Sequence, residues 1–227
     1  MHHNKFSYDY YKTFLMLAGD AGYKFYTMGE FFAAGCPGEK AFVIRHDLDV
    51  KPASLQGLLK AEKEVNVRST IYVRVMANDF NAFNYLTLPM LLQAQADGFE
   101  IGLHTNFLES ATIMNLDPFE VLKFETNALR AFFENKSLAC HRDVNYTRNS
   151  LPWVDANWEK IQSELGYEFQ AYDDRILKPV HYVNEGLNPH LCWRNLTPEQ
   201  AILSGKSICL LTHPHFWWET HPFEAGT

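Results

Sequence analysis

Several polar residues sit where an apolar run stops, and their types suit metal-assisted chemistry. Asp47 and Asp49 close the run Ala41-Phe42-Val43-Ile44-Arg45-His46. Two carboxylates two residues apart repel each other unless a cation or a proton lies between them. A metal resolves this if Asp49 ligates it and Asp47 stays free as a base. A turn or helix cap ahead of Pro52 is the plainer alternative. His104 ends Phe99-Glu100-Ile101-Gly102-Leu103-His104 beside Thr105 and Asn106, where a neutral imidazole can bind a metal. Cys140-His141-Arg142-Asp143 follows a short apolar run, and Arg142 there can clamp a carboxylate or form a surface pair with Asp143 or Asp155. Tyr172-Asp173-Asp174-Arg175 reads equally as an acidic site or a solvated turn. The strand-like run Ser207-Ile208-Cys209-Leu210-Leu211-Thr212-His213 delivers His213 and His215 beside Phe216, Trp217 and Trp218, which packing alone explains poorly.

These residues need elements that bring strand ends together. The runs 41–46, 69–75, 99–104, 138–141, 168–172, 189–195 and 207–213 read as seven strands, the sixth of them weak. Helical patterns separate them: 52–65 with Pro at its start, 86–97 stopped by Gly98, 118–133 opened by Asp117, 152–165 ended by Gly166, and 198–203 capped by Thr197. Alternation of this kind gives parallel strands with right-handed crossovers. Polar residues end five of the strands, and a barrel gathers chemistry from many strand ends at one face, whereas an open sheet concentrates it at one switch point. The expected fold is therefore α/β, a distorted seven-stranded parallel (β/α) barrel over residues 41–227. Residues 1–40, with a Tyr/Phe-rich amphipathic helix from Tyr8 to Ala18 and a short one near Met28 to Ala33, read as an N-terminal helical cap packed on it.

Composition narrows the function classes. With 227 residues, 47% of them apolar, the chain suits one sizeable core. A net charge of −7 argues against a nucleic-acid partner, which needs a basic footprint. No CxxC pair occurs among Cys36, Cys140, Cys192 and Cys209, and the last three read as small buried residues. No signal peptide or long apolar span is evident, so the expected location is cytoplasmic, without a transmembrane segment.

The order of these motifs resembles the polysaccharide deacetylases of carbohydrate esterase family four, the NodB-homology domain, and more narrowly its branch associated with O-antigen biosynthesis. The resemblance spans Phe42 to Trp218. Arg45-His46-Asp47-Leu48-Asp49 resembles the first motif, which implies Asp47 as catalytic base and Asp49 as metal ligand. Gly98 to His104 is similar to the second and implies His104 as a ligand. His141-Arg142 resembles the third, whose Arg orients the base, although the Pro that usually follows is missing. Asp173 or Asp174 falls where an acid tunes the last His, and Leu211-Thr212-His213-Pro214 resembles the motif whose His is the general acid. The second motif normally supplies another His four residues after the first. Here that position is Leu108, so a third ligand must come from elsewhere, with His141, His215 and the Asn106 carbonyl oxygen as candidates.

The resemblance implies hydrolysis of an N-acetyl amide on a sugar, nucleotide sugar or lipid-linked glycan, with a divalent metal, zinc first among them. Asp47 would take the water proton, Arg142 would keep it ionised, and His213 would protonate the amine. Asn106, Trp193, Trp217 and Trp218 would contact the sugar. Three rivals remain at this level: a metal-free carbohydrate-binding barrel, which Leu108 favours; a metal-dependent nucleotide-sugar glycosyltransferase, which lacks a Gly-rich phosphate loop here; and another metal-dependent amidohydrolase.

Overall fold

The computed structural model describes residues 6–141, 149–185 and 192–220. Within them the strands are β1 (Lys24–Tyr26), β2 (Ala41–Leu48), β3 (Thr70–Arg74), β4 (Glu100–Thr105), β5 (Ser137–Cys140), β6 (Phe169–Gln170), β7 (His181–Asn184) and β8 (Ile208–Thr212). The α-helices are α1 (Tyr8–Asp20), α2 (Met28–Ala33), α3 (Leu55–Glu64), α4 (Thr87–Ala96), α5 (Phe107–Met114), α6 (Pro118–Arg130), α7 (Leu151–Ala156), α8 (Trp158–Leu165), α9 (Asp174–Leu177) and α10 (Pro198–Leu203).

Seven strands run parallel in the order β6-β5-β4-β3-β2-β8-β7, curling into a barrel that stays open between β6 and β7 among the described residues. The expected α/β barrel is therefore the observed fold. β1, which the sequence pattern does not reveal, pairs with the first half of β2, Lys24 opposite Ala41. β3 takes the second half, from Arg45 opposite Thr70 to Leu48 opposite Val73.

Period-two alternation divides each strand between two cores. Val43, Tyr72, Ala139 and Cys209 point inward and pack with Phe169 from β6 and with Met28 and Phe31 from α2. Ile71, Val73, Ile101 and Leu103 point outward against α3 to α6. Phe42, Ile44 and Leu210 point outward against α1 and α10. Gly102 belongs to the inward set. It lies opposite Tyr72 in the β3–β4 register, and a Cβ there would meet the Tyr72 ring at 2.4 Å. The glycine thus makes room for a ring that lies beneath Arg45.

Three expectations are corrected. The sixth strand is His181–Asn184, not 189–195, of which residues 189–191 lie outside the described residues and Trp193 forms only an isolated bridge to Glu185. Cys192 is exposed, because it lies beyond that strand and not inside one. The single helix expected over 152–165 breaks at Asn157 into α7 and α8. No helix among the described residues is long and apolar enough to cross a membrane.

Candidate metal and acid–base site

The carboxyl ends of β2, β4, β5 and β8 converge at the barrel mouth. Asp47 is the last inward residue of β2, 2% exposed, and Arg45 lies two residues earlier on the same face. The Arg45 guanidinium, wholly buried, donates from Nε to Asp47 Oδ1 at 3.1 Å and from Nη2 to Oδ2 at 2.7 Å. It also donates to the Tyr172 hydroxyl at 2.9 Å and lies over that ring. Burial raises the proton affinity of Asp47, but Arg45, His104 and His213 outweigh it and hold its pKa below the ordinary carboxylate value. Asp47 is therefore an ionised, oriented carboxylate.

Asp49 lies just past the strand. Its Oδ1 is 3.0 Å from His104 Nε2 and 3.5 Å from His141 Nε2, and its Oδ2 is 3.7 Å from His213 Nε2. His104 Nδ1 lies 2.9 Å from the Ala139 carbonyl, which can only accept. That puts a proton on Nδ1 and turns Nε2 toward Asp49. Asp49 Oδ1 is buried with no hydrogen-bond partner among the described residues. A carboxylate oxygen and an imidazole nitrogen 3.0 Å apart suit a proton or a metal ion between them. Asp49, His104 and His141 bring one ligand atom each within 4.8 Å of one another. Burial lowers the pKa of His141 and so favours the neutral form a ligand needs. The donor set of one carboxylate and two imidazoles fits a divalent transition metal with an open position.

His213 opens onto the other side of Asp49. Its Nδ1 lies 3.1 Å from Glu185 Oε2, and its backbone N–H donates to the same carboxylate. Burial pushes the imidazole down, but Glu185, with Asp49 and Asp47 behind it, outweighs that and lifts the pKa to about 9. Glu185 is held in turn by Trp217 Nε1 at 2.6 Å. His213 is thus protonated near neutral pH, with Nε2 toward the carboxylates.

The structure brings Asp47, Asp49, His104, His141 and His213 together, as the sequence suggests, and separates others. Asp173 and Asp174 do not hold His213; Glu185 does. Asp173 caps α9 and pairs with Arg175, while Asp174 pairs with Lys178 one helical turn on and is 75% exposed. His215 packs on Phe216 with its ring 6.0 Å from that of His213, outside the ligand trio. Arg142 lies outside the described residues, and within them Arg45 is the guanidinium on Asp47. Leu108 sits in α5 and packs against the outer core. Asn106, buried, accepts from Arg74 Nη2 at 3.5 Å.

Trp217 is too deeply buried to serve as a sugar platform, and the other two tryptophans pack beside it. Trp217 is 1% exposed, packed against Phe6, Tyr10, Tyr11 and Phe14, because its indole buries best where its N–H meets Glu185. Trp193 packs on Phe6 and Phe14 and donates to the Tyr10 hydroxyl at 3.1 Å; Trp218 is half-buried beside the same cluster, in a bridge to Ser7. They fasten α1 to the barrel.

Sequence reasoning missed Arg45 and Glu185. Arg45 was legible, since residues two apart on a strand share a face. Glu185 was hidden by the misplaced strand.

No protein-family profile matches this chain, and no curated protein sequence does. Among solved structures it is similar to the chitin deacetylase from the fungal pathogen Colletotrichum lindemuthianum, with 18% identity, a TM-score of 0.46, and 79% of this chain and 76% of that one covered.

Proposed function

We propose that this chain is a metal-dependent hydrolase that removes the N-acetyl group from a sugar or glycan precursor. The observation that carries the reading is the cluster of Asp49 Oδ1, His104 Nε2 and His141 Nε2, flanked by an ionised Asp47 and a protonated His213. A divalent metal, zinc first among the candidates, would be held by Asp49, His104 and His141, and it would polarise an acyl carbonyl and acidify water.

The chain's own residues supply the proton traffic. Asp47, aimed by Arg45, accepts the proton of the attacking water. His213, charged through Glu185, gives its Nε2 proton to the departing amine. Opposite protonation states in one cleft are what a base and an acid need at the same pH, and each would contribute roughly 100- to 10,000-fold. The motif order from Phe42 to Trp218 supports a carbohydrate substrate, specifically an N-acetylated sugar, nucleotide sugar or lipid-linked glycan of cell-surface (O-antigen) polysaccharide synthesis. It also supports division of the chain into a cap over residues 1–40 and a catalytic barrel over 41–227.

The test is metal content after purification without chelator, in the wild type and in Asp49→Ala, His104→Ala and His141→Ala. Near-stoichiometric transition metal, lost in the variants, is the expected result, together with acetate release from acetylated sugars. A wild type that binds no metal even when zinc is supplied sinks the hydrolytic reading and leaves a carbohydrate-binding barrel.

A further inference from the structure

Arg74 has no part in the machinery above. It is the last residue of β3, and its Cα is the register partner of His104, which places it on the barrel-mouth row beside the ligand trio. The residue is only 4% exposed. Its one hydrogen bond within the described residues is a long one, 3.5 Å from Nη2 to Asn106 Oδ1. Its Nε is buried with no partner, and none of the ion pairs formed by the described residues includes it. Glu125 is near enough to feel its charge but does not pair with it, and takes a hydrogen bond from Thr105 instead.

A guanidinium taken out of water without a carboxylate partner is costly, and chains keep such groups where a ligand completes them. The five N–H groups of arginine form a planar fork matched to carboxylate and phosphate oxygens. The other buried arginine among the described residues, Arg45, shows the contrast: its fork is filled by Asp47 and Tyr172. Arg74 ends β3, which runs between the strand of Asp47 and the strand of His104, and its field reaches His141. A substrate whose acyl amide lies over the trio would extend its sugar ring past the neighbouring strand ends, and Arg74 is a buried cation there with no ion-pair partner among the described residues.

We propose that Arg74 is a subsite for an anionic substituent, a carboxylate or a phosphate, on the sugar ring that carries the acyl amide, so that the preferred substrate is an acidic N-acetyl sugar. This rests on the proposed deacetylase reading for the orientation of the substrate. Asn106, which holds the guanidinium from beneath, is a positioning residue for it.

The test is calorimetric binding to zinc-supplemented protein of four probes: N-acetylglucosamine, its 6-carboxylate (the uronic acid), its 6-phosphate and its 1-phosphate. Wild type, Arg74→Lys and Arg74→Gln are compared, with melting temperature and zinc content as folding controls. At least one acidic probe is expected to bind about tenfold or more tighter than the neutral sugar, as a charge-assisted bidentate contact allows. That preference should shrink in the Lys variant, which keeps the charge but not the fork, and vanish in the Gln variant. Which probe gains identifies the anion as carboxylate or phosphate. Equal affinities across the four probes, no binding of any included, overturn the proposal, as does a preference that survives in Arg74→Gln. If the Gln variant does not fold, the Lys variant decides by the same ratio. Acetate release in the same samples separates the two ideas. Release without an acidic preference removes the subsite and keeps the deacetylase, while an Arg74-dependent preference without release does the reverse.

Discussion

Replacing Arg45 by Met tests the buried pair on which the base depends. The guanidinium is wholly buried, Asp47 is 2% exposed, and two bonds of 3.1 and 2.7 Å join them. At that separation the Coulomb energy is about 5 kcal/mol at an effective dielectric of roughly 20. The desolvation of Asp47 is set by its burial and stays when Arg45 goes, so the loss is close to the whole attraction, about 3–5 kcal/mol. For a chain of this size that is a fall in Tm of about 10 °C, at about 2–4 °C per kcal/mol. Adding Asp47→Asn to the Met variant removes the stranded charge, so the double variant should be more stable than the sum of the singles by at least about 2 kcal/mol. Urea unfolding of all four proteins, each freed of metal, measures the cycle. Losing Arg45 also removes the main force opposing burial, so the Asp47 pKa rises, and the acid limb of the acetate-release profile moves to higher pH. A Met variant within about 1 kcal/mol of wild type, or additive singles, would refute the claim that this pair is dry and coupled.

Glu185→Gln should lower acetate release about 10- to 100-fold, since it removes the charge that keeps His213 protonated, while Asp173→Ala and Asp174→Ala change it less than about twofold; steady-state rates with the neutral and acidic sugars check this. Glu125 gives a stability signature. Burial lifts its pKa from 4.5 to about 7, against opposing contributions from Thr105 and Arg74. The folded state therefore binds that proton more tightly than the unfolded chain. Its contribution is fully present below pH 4.5 and is lost as pH rises through about 7, a change of about 3 kcal/mol that Glu125→Gln abolishes. Parallel stability–pH curves for the two proteins between those limits would contradict it.

The legible parts of the fold are the strands with long apolar runs. β2, β3, β4 and β8 are each buried along almost their whole length, and such runs stand out against polar surroundings. β7 did not stand out. It has four residues, two of them His181 and Asn184, and only its last two are buried. Its register is supplied by pairing with β8, which is tertiary information. Missing β7 meant missing Glu185, the residue directly after it. The aromatic tail misled for a different reason. Trp193, Trp217 and Trp218 lie far from Phe6, Tyr10 and Phe14 in sequence, so nothing local shows that they pack together under α1. His141, by contrast, could be named as a candidate ligand because it follows a short apolar run and Leu108 leaves a ligand position to fill.

The alternation along β2 and β8 also explains how the site keeps its register. Arg45 and Asp47 face into the barrel, and His46 between them faces out. There His46 Nδ1 lies 2.5 Å from Thr212 Oγ1 and its Nε2 lies 3.0 Å from Glu62 Oε1. Glu62 also accepts from Tyr11 of α1 at 2.5 Å and from Ser69 at 2.8 Å. Thr212 is itself the outward residue just before His213. A slip of one residue would exchange the two faces of a strand. On β2 it would drive Asp47 and Arg45 into the apolar layer beneath α1 and α3 and strand Glu62 without His46. Polar partners on both sides of the sheet therefore oppose the same slip, and they do so on the two strands that carry the proposed base and acid. An apolar residue at position 46 would leave only the inward pair to resist it. The outward network thus fixes where Asp47 and His213 point without either residue touching it.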